Sequence, residues 1–498
     1  MNVADALESA LAQAPGQTAI LFEERTISYR ELDRRASRLA HWLERAGIIS
    51  GDRVALFLPN IPEFAIAYYA AQKLGAVAVS LNSMLKSAEL AYALADSEAR
   101  VVFTTEALSG ELLGARPALP ALEHVVVCEG SATAGTVALD EASAGCADMF
   151  PARPRAASDP AAILYTSGTT GRPKGAVLTH GNLVSNALTT VRCVGSRAGD
   201  RHLLYLPLSH CFAQNFIMNA AFRSLGSIVL ERRYQLTATL ADVRRYEVSH
   251  FYGVPTIFIY LLEAQVTPAQ LASVRFFFSA AATMPSEVAE TWRARFERPI
   301  YEGYGLTETS PLATYNHLGS YRPGSVGTPI DDVELKIVDE AGRALGDDEW
   351  GEICIKGPNV MTGYFRRDRE TAEAVRDGWF HSGDIGYRDR DGYYYLVDRL
   401  KDMINCAGFK VWPREVEEVL YRHDAVAECA VVGKPHPAKG ERVVAYVRLK
   451  PGASADAASL LRHCEAELAR YKLPDELILD SPIPKSPSGK ILKRVLRD

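Results

Sequence analysis

The alternation of strand-like and helix-like segments between residues 27 and 130 constrains the fold more than any other feature. Residues 52–58 predict a buried strand, residues 63–74 a helix, and residues 76–81 another apolar strand. Strands that alternate with helices are typical of parallel sheets covered by helices. We therefore expect an α/β fold of layered sheets, in which ligands gather at the carboxyl ends of the strands.

The length of the chain predicts more than one domain. At 498 residues it is too long for a single hydrophobic core. Residues 327–357 predict antiparallel strands, which would form a small barrel-like β part after the layered sheets. A compact pattern of helices and strands follows residue 398, and its length of about a hundred residues is enough for a small domain. The sequence thus predicts an N-terminal domain over residues 1–398 and a small C-terminal α+β domain over residues 402–498.

Charge and cysteine content exclude several classes of protein. The formal net charge of −6 argues against a nucleic-acid-binding protein that relies on a basic surface. The eight cysteines are scattered without paired Cys or His spacing, which favours reduced thiols and gives no support for a structural metal site. The N-terminus lacks the basic start and apolar core of a signal peptide, and polar residues interrupt apolar segments such as 64–81. We expect a cytoplasmic protein without an integral membrane segment.

Residues 164–180 combine hydroxyl side chains, glycines and a lysine directly after a strand-like run. Glycine allows backbone amides to turn toward a ligand, and successive amides with hydroxyls and a lysine form an anion site. The P-loop places its lysine directly after the last glycine, whereas here Arg172 and Pro173 intervene. The segment predicts a polyphosphate-binding loop of another type, formed by Thr166, Ser167, Gly168, Thr169, Thr170, Gly171 and Lys174.

The order of residues in this loop resembles the phosphate loop of the acyl-adenylate-forming enzymes. That superfamily contains acyl-CoA synthetases, adenylation domains and beetle luciferases. Further motifs follow in the order expected for it, and they extend the resemblance over nearly the whole chain. The resemblance implies a two-domain ligase, most similar to acyl-CoA synthetases, with a mobile C-terminal domain. It also implies ATP, Mg²⁺ and, as co-substrate, CoA.

The segment YEGYGLTETSP at residues 301–311 resembles the superfamily motif that binds AMP and magnesium. A carboxylate beside a polyphosphate needs a cation between them, so Glu308 is the predicted Mg²⁺ ligand. Tyr304 offers a flat face to a purine. The resemblance implies a catalytic role for Thr307 and Glu308, and it implies further nucleotide contacts from Gly305, Thr307, Ala280, Ala281 and Ala282.

The C-terminal motifs complete the implied active site. Asp384 and Arg399 match the carboxylate that binds the ribose hydroxyls and its arginine partner, and one carboxylate suits two vicinal donors. Lys401 matches the pivot of the implied hinge at residues 399–401, and Gly408 matches the loop that leaves room for a pantetheine arm. Lys490 matches the catalytic lysine, whose charge would stabilise the transition state between carboxylate and α-phosphate.

Three residues are predicted for the acyl pocket, namely His210, Phe212 and Gly303. His210 matches a residue that lines the acyl channel in many relatives, but a lone histidine among apolar residues is also a common structural group. The sequence leaves both interpretations open. The methyl groups of Ala280 and Ala281 stand where glycines are frequent in the superfamily, so they narrow the pocket wall and weigh against a bulky acyl group.

The predicted function is ATP-dependent ligation of a small carboxylic acid to CoA through an acyl-AMP intermediate. The segment around His210 lacks the aspartate expected for a substrate ammonium, which disfavours an α-amino acid. Asn405 stands where an oxygenase of the luciferase type would carry a lysine. An acyl-AMP ligase that loads an acyl carrier protein is the alternative. The presence of Glu308, Asp384, Arg399 and Lys490 together argues against an inactive nucleotide sensor.

Overall fold

Two large, mostly parallel sheets form the N-terminal part of the computed structural model, which describes residues 1–166, 172–437, 439–486 and 489–497. The first half of this part contains α1 (Asp5–Gln13), β1 (Thr18–Phe22), β2 (Arg25–Ser28), α2 (Tyr29–Arg45), β3 (Arg53–Leu56), α3 (Pro62–Leu74), β4 (Val77–Ser80), α4 (Ser87–Ser97), β5 (Val101–Thr104), α5 (Glu106–Ala115), β6 (His124–Val127), β7 (Val137–Ala138), α6 (Leu139–Ser143), β8 (Pro160–Thr166) and β9 (Lys174–Thr179). The second half contains α7 (His180–Cys193), β10 (Arg201–Leu204), a π-helix (Phe212–Asn219), α8 (Ala220–Arg223), β11 (Ser227–Leu230), α9 (Leu236–Arg245), β12 (His250–Gly253), α10 (Pro255–Glu263), β13 (Phe276–Ser279), α11 (Ser286–Phe296), β14 (Ile300–Gly305), β15 (Leu312–Tyr315) and β16 (Thr328–Pro329).

A third, antiparallel sheet follows the two large ones. It is built from the segment that contains β17 (Glu334–Val338), β18 (Gly351–Lys356), β19 (Gly363–Tyr364), α12 (Asp368–Ala374), β20 (Val375–Arg376), β21 (Trp379–Arg388) and β22 (Tyr394–Arg399). Strands β17, β18, β21 and β20 pair in that order, and β22 pairs with β21. Strand β19 instead joins β9 at the edge of a large sheet. The strand-rich part predicted from residue 327 onward is thus antiparallel, as expected.

The C-terminal unit has its own sheet and its own hydrophobic core. Its elements are β23 (Ile404–Cys406), β24 (Phe409–Val411), α13 (Pro413–Tyr421), β25 (Val426–His436), β26 (Gly440–Leu449), α14 (Ala457–Glu467), β27 (Glu476–Leu479) and α15 (Lys493–Arg497). A 3-10 turn at Leu400–Asp402 connects this unit to the third sheet. The predicted hinge at residues 399–401 overlaps this turn at Leu400 and Lys401, while Arg399 ends β22. The hinge and the domain boundaries stay predictions.

The strands of the N-terminal part are divided between two separate large sheets. One sheet has the order β16-β15-β14-β13-β12-β10-β11-β1-β2 and is parallel from β14 to β1. The other has the order β19-β9-β8-β4-β3-β5-β6-β7 and is parallel from β8 to β7. Helix α3 is buried over its whole length, because apolar side chains cover every face of it. The layered α/β fold expected from the sequence is confirmed.

Local sequence signals set the helix ends in this region. Ser28 accepts a hydrogen bond from the backbone N–H of Glu31 and caps the first turn of α2. Pro62 occupies the first turn of α3, and Gly75 ends it with a φ of 79°. Within the described residues, no helix combines the length and apolar composition needed to cross a membrane.

Candidate active site

A cavity of about 710 Å³ lies where both large sheets, the third sheet and the C-terminal unit meet. Its walls come from chain segments that are far apart in sequence. The predicted site residues on its surface are Thr166, Lys174, His210, Phe212, Ala280, Ala281, Gly303, Tyr304, Gly305, Thr307, Glu308, Asp384, Arg399, Lys401 and Lys490. The fold therefore brings together residues from every predicted motif except the loop of Gly408.

One end of the cavity combines a carboxylate with hydroxyl and ammonium groups. Glu308 lies in the 3-10 turn Thr307–Thr309 and is only 7% exposed. Its Oε1 accepts hydrogen bonds from the hydroxyls of Thr166, at 3.2 Å, and Tyr364, at 3.0 Å. The Nζ of Lys174 lies 5.1 Å from the centre of the Tyr364 ring. Hydroxyl groups, a lysine and a carboxylate therefore lie together at the end of β8, directly before the predicted phosphate loop.

The residues present at this end fit a magnesium ion. Both hydrogen bonds to Glu308 use Oε1, and within the described part of the chain no donor reaches Oε2. Mg²⁺ takes oxygen ligands and is usually held by one or two carboxylates together with substrate phosphates. Glu308 would thus hold the ion, which when bound would neutralise phosphate charge. This is the role that the sequence predicted for Glu308.

The other end of the cavity presents a tyrosine, an aspartate and an arginine. Asp384 on β21 lies opposite Arg399 on β22, and this pairing brings the Asp384 Oδ1 to 3.1 Å from the Arg399 Nε. The hydroxyl of Tyr304 donates to the other carboxylate oxygen of Asp384 at 2.8 Å. The Asp384 carboxylate thereby raises the pKa of Arg399. Each carboxylate oxygen keeps a lone pair for a ribose hydroxyl, so the geometry suits the predicted ribose site.

Two backbone positions shape the wall beside Tyr304. Gly305 ends β14, and a Cβ at this position would lie 1.6 Å from the carbonyl oxygen of Pro311. Ala281 has a φ of 69°, a left-handed conformation that costs a non-glycine residue about 1–2 kcal/mol. The glycines frequent at this position in the superfamily would avoid that strain. Ala280 and Ala281 line the cavity and Ala282 does not, so a nucleotide contact from Ala282 stays a prediction that this cavity does not support.

Lys490 reaches the cavity from the C-terminal unit. The loop that carries it is closed by hydrogen bonds from the Ser486 N–H to the Lys490 carbonyl and from the Leu492 N–H to the Pro484 carbonyl, both 2.8 Å. Burial is the main cause that lowers the pKa of Lys490 to about 8, and the positive charge of Arg399 adds to it. The cavity thus holds a half-buried lysine with a lowered pKa, and the candidate ribose site lines the same cavity.

Aromatic side chains close the cavity beyond His210. The π-helix carries Phe212 and Phe216, whose ring centres are 5.2 Å apart, and Phe216 stacks on Phe278 of β13 at 4.7 Å. His210 lines the cavity, burial lowers its pKa, and its Nε2 has no hydrogen-bond partner within the described residues. A Cβ at Gly303 would lie 2.7 Å from the Phe278 ring. His210, Phe212 and Gly303 thus line one cavity, and their role as an acyl pocket stays a prediction.

Several predicted residues lie elsewhere. Ser167, Gly168, Thr169, Thr170 and Gly171 fall outside the described residues. Gly408 is in the exposed turn between β23 and β24, with a φ of 88°, and it does not line the cavity. Lys401 lines the cavity at the 3-10 turn, and burial lowers its pKa.

Sequence reasoning missed Tyr364 and Phe216. Tyr364 contacts Glu308 because the two-residue strand β19 pairs with β9. No sequence motif predicts that pairing. Phe216 follows Phe212 by four residues, and this helical spacing could have placed both rings on one face of the chain. Phe278, on which Phe216 stacks, lies on the fully buried strand β13.

The chain is similar to known enzymes over nearly its whole length. A family model for the AMP-binding enzymes matches residues 7–365, and one for the C-terminal domain of the same enzymes matches residues 415–490. A long-chain-fatty-acid–CoA ligase of Bacillus subtilis is 32% identical over 98% of this chain and 93% of its own length. A feruloyl-CoA synthase of an Amycolatopsis species is 36% identical over 97% of this chain and 96% of its own length. The solved structure of the anthranilate CoA ligase AuaEII with anthranoyl-AMP superimposes with a TM-score of 0.94, at 28% identity, over 100% of this chain and 96% of that one.

The relatives are named as CoA ligases or synthetases, and this favours CoA over a carrier protein as the acyl acceptor. The names differ in the acid, so they leave the acyl substrate to be argued from the pocket. The matches cover both the large N-terminal part and the C-terminal unit that carries Lys490. The chain belongs to the AMP-binding enzyme family and is an ATP-dependent, AMP-forming acyl-CoA ligase.

Proposed function

We propose that this ligase activates a compact carboxylic acid with an uncharged tail, no larger than a single aromatic ring. The observation that carries this proposal is the aromatic floor formed by Phe212, Phe216 and Phe278. Behind it, Tyr252 and Tyr315 pack against Phe278, so the floor is backed by further rings rather than by open space.

The size of the cavity supports the same limit. Its volume of about 710 Å³ must hold the nucleotide as well as the acyl group. Cavities of about 300–1,000 Å³ are typical for one drug-sized ligand, and ATP alone is a ligand of that size. The space that is left suits a short or single-ring acyl group and not an extended fatty chain.

The chemistry of the lining supports an uncharged tail. Besides the three phenylalanines, the lining includes the uncharged residues Leu206, Pro207, Ala213, Gly303 and Leu312. His210 also lines the cavity, and burial lowers its pKa, which favours its neutral form. A buried charge without a partner is strongly unfavourable, so this wall would reject a second carboxylate, a sulfonate or an ammonium.

We propose the following roles in acyl-AMP formation. A carboxylate oxygen of the acid forms a bond to the α-phosphorus of ATP, and the bond from that phosphorus to the β-phosphate oxygen breaks to release pyrophosphate. The protonated Lys490 stabilises the negative charge that builds up between the carboxylate and the α-phosphate. Asp384 and Tyr304 orient the adenosine, while Thr166 and Lys174 bind the departing phosphates, so the reacting atoms are held in line.

In thioester formation, the CoA thiol gives its proton to water and its sulfur forms a bond to the carbonyl carbon of acyl-AMP. The bond from that carbon to the phosphate oxygen breaks, and AMP leaves. Gly408 is too exposed to act in the conformation described above. We propose that residues 402–498 rotate about the hinge at residues 399–401, which removes Lys490 from the cavity and brings the Gly408 loop to it. The free thiols of all eight cysteines suit the reducing cytoplasm, where we place the enzyme.

A selectivity measurement tests the acid class. For the wild-type enzyme, we expect kcat/KM for benzoate-sized or short branched acids to exceed the value for long-chain fatty acids and for dicarboxylic acids. Phe216→Ala should remove the floor and shift the ratio of kcat/KM values toward larger acids by about tenfold, as expected when pocket space for one or two methylenes changes. A wild-type preference for long-chain acids would refute the proposal.

Phe277→Leu is the matched control for this measurement. Phe277 is a neighbour of Phe278 on β13, but it faces Trp292 and does not line the cavity. It should lower stability without moving the selectivity ratio. Running the panel with CoA and with a pantetheine-bearing carrier protein tests the acceptor at the same time.

The pKa of Lys490 predicts the pH dependence of acyl-AMP formation. A lysine with a lowered pKa of about 8 carries its charge below that pH and loses it as the pH rises through it. Since the charged form stabilises the transition state, kcat/KM for ATP should fall about tenfold per pH unit above the pKa. Pyrophosphate release without CoA measures this step and avoids the titration of the CoA thiol.

Lys490→Arg is the control for the pH profile. A guanidinium remains charged over the whole range, so any activity that this variant retains should not decline near pH 8. The same decline in both enzymes would assign the titration to another group.

A further inference from the structure

A cluster of charged and polar side chains joins helix α10 of the N-terminal part to the C-terminal unit. The Arg448 Nη2 lies 2.9 Å from the Glu263 Oε1 at the end of α10. Lys485 donates to the hydroxyl of Tyr260 at 2.8 Å, and its Nζ lies 4.9 Å from the centre of that ring. Glu263 and Tyr260 lie within one turn of each other on α10, so a single helix face provides both contacts.

Glu428 is the centre of this cluster. It sits on β25 directly across from Arg448 on β26, and its side chain is only 2% exposed. One carboxylate oxygen accepts from Lys485 at 2.8 Å and from Arg448 at 3.5 Å, while the other accepts from the Thr256 hydroxyl at 3.3 Å. A buried carboxylate is tolerated when cations and donors surround it, and here part of that set comes from α10.

The cluster is connected to the catalytic loop. Lys485 and Gly489 belong to the same loop as Lys490, and the Thr256 hydroxyl also lies 3.3 Å from the Gly489 carbonyl oxygen. A Cβ at Gly489 would lie 2.9 Å from the Val254 side chain, so the loop rests directly on the start of α10. Lys485 and Gly489, which are close to Lys490 in the chain, both contact α10. These contacts therefore help to fix the position of Lys490 in the cavity.

We propose that these contacts form a conformation-specific latch that positions Lys490 for acyl-AMP formation. The α10 latch consists of Thr256, Tyr260 and Glu263 with Glu428, Arg448, Lys485 and the carbonyl of Gly489. The inference rests on the proposed rotation of residues 402–498, because a rotation of that unit separates α10 from its partners. The latch residues act through Lys490 and are positioning residues. They stabilise the arrangement used in the first half-reaction and must separate before the second.

Two variants weaken the latch without inserting bulk. Glu263→Gln removes the charge opposite Arg448, and Thr256→Val replaces the hydroxyl by a methyl group of similar shape. The control is Glu467→Gln, since Glu467 pairs with Arg422 inside the C-terminal unit and makes no contact with α10. Each variant is assayed for pyrophosphate release in a single turnover without CoA, and for thioester formation from supplied acyl-AMP and CoA.

We expect both latch variants to slow acyl-AMP formation by about three- to tenfold. This is the expected effect of losing one half-buried polar contact that favours one of the two positions of the C-terminal unit. Thioester formation should be unchanged or faster, and Glu467→Gln should alter neither step. Equal slowing of both half-reactions would show a general loss of structure, and unchanged acyl-AMP formation would show that the contact does not position Lys490. Either result overturns the latch.

Lys490→Ala separates this inference from the proposed function. If Lys490→Ala retained acyl-AMP formation, the proposed role of the lysine would fail, whatever the latch variants did. If Lys490→Ala lost that step but the latch variants kept it, only the latch would fail.

Discussion

Replacing Lys490 with alanine is expected to lower the rate of acyl-AMP formation by about 10²–10³-fold, the range for removing one preorganised charge from a transition state. The reason is that Lys490 is a half-buried ammonium that the C-terminal unit contributes to the cavity, while the attacking and leaving groups are both anionic. Thioester formation from supplied acyl-AMP should stay within about twofold of wild type, because this step does not build charge at the same place. Pyrophosphate release and thioester absorbance measure the two steps separately.

Lys450→Ala is the control for this variant. Lys450 is an exposed lysine at the end of β26 and lies outside the cavity. Its removal should affect neither half-reaction. Equal losses of both steps in Lys490→Ala would contradict the proposal that Lys490 acts only in acyl-AMP formation.

Gly305→Ala should reduce overall activity by about 10²-fold, the effect of displacing catalytic groups by roughly 1 Å. The added Cβ would lie 1.6 Å from the Pro311 carbonyl oxygen, and that distance is impossible without movement of the backbone. Tyr304 and the turn that carries Thr307 and Glu308 adjoin Gly305, so the movement displaces groups from both ends of the cavity. The KM for ATP should rise and the melting temperature should fall, as shown by kinetics and thermal unfolding.

Gly16→Ala is the matched control, because Gly16 is exposed and a Cβ there would have no atom within 4 Å. It should leave activity and melting temperature close to wild type. Normal ATP binding in Gly305→Ala would mean that the close approach to Pro311 does not shape the nucleotide site.

The sequence predicts the motifs well because each one is a local pattern. Glycines, hydroxyls and a lysine in the loop after β8 indicate phosphate binding from their chemistry alone. The same holds for the alternation of strands and helices, which predicts the layered α/β fold without any long-range contact. Asp384 and Arg399 were predicted as partners from the motif, and the structure shows why they meet, since β21 and β22 place them opposite each other.

Contacts between distant segments could not be predicted in this way. Tyr364 reaches Glu308 through the pairing of β19 with β9, and the aromatic floor combines the π-helix with β13. The pKa of Lys490 depends on its burial beside Arg399, which is 91 positions earlier in the chain. The Tyr364 contact, the aromatic floor and the pKa of Lys490 all depend on how helices and strands pack against each other. Short sequence patterns do not predict that packing.

The sequence by itself determined the family and the two half-reactions, and it predicts which residue types bind phosphate and ribose, because these tasks need particular functional groups at particular spacings. Only the tertiary structure decided how large the cavity is and which charged groups lie near Lys490. The pocket floor and the contacts of α10 with Glu428, Arg448 and Lys485 come from separate parts of the chain. The distances in these contacts and the burial of their side chains are set only when the sheets and the C-terminal unit pack together.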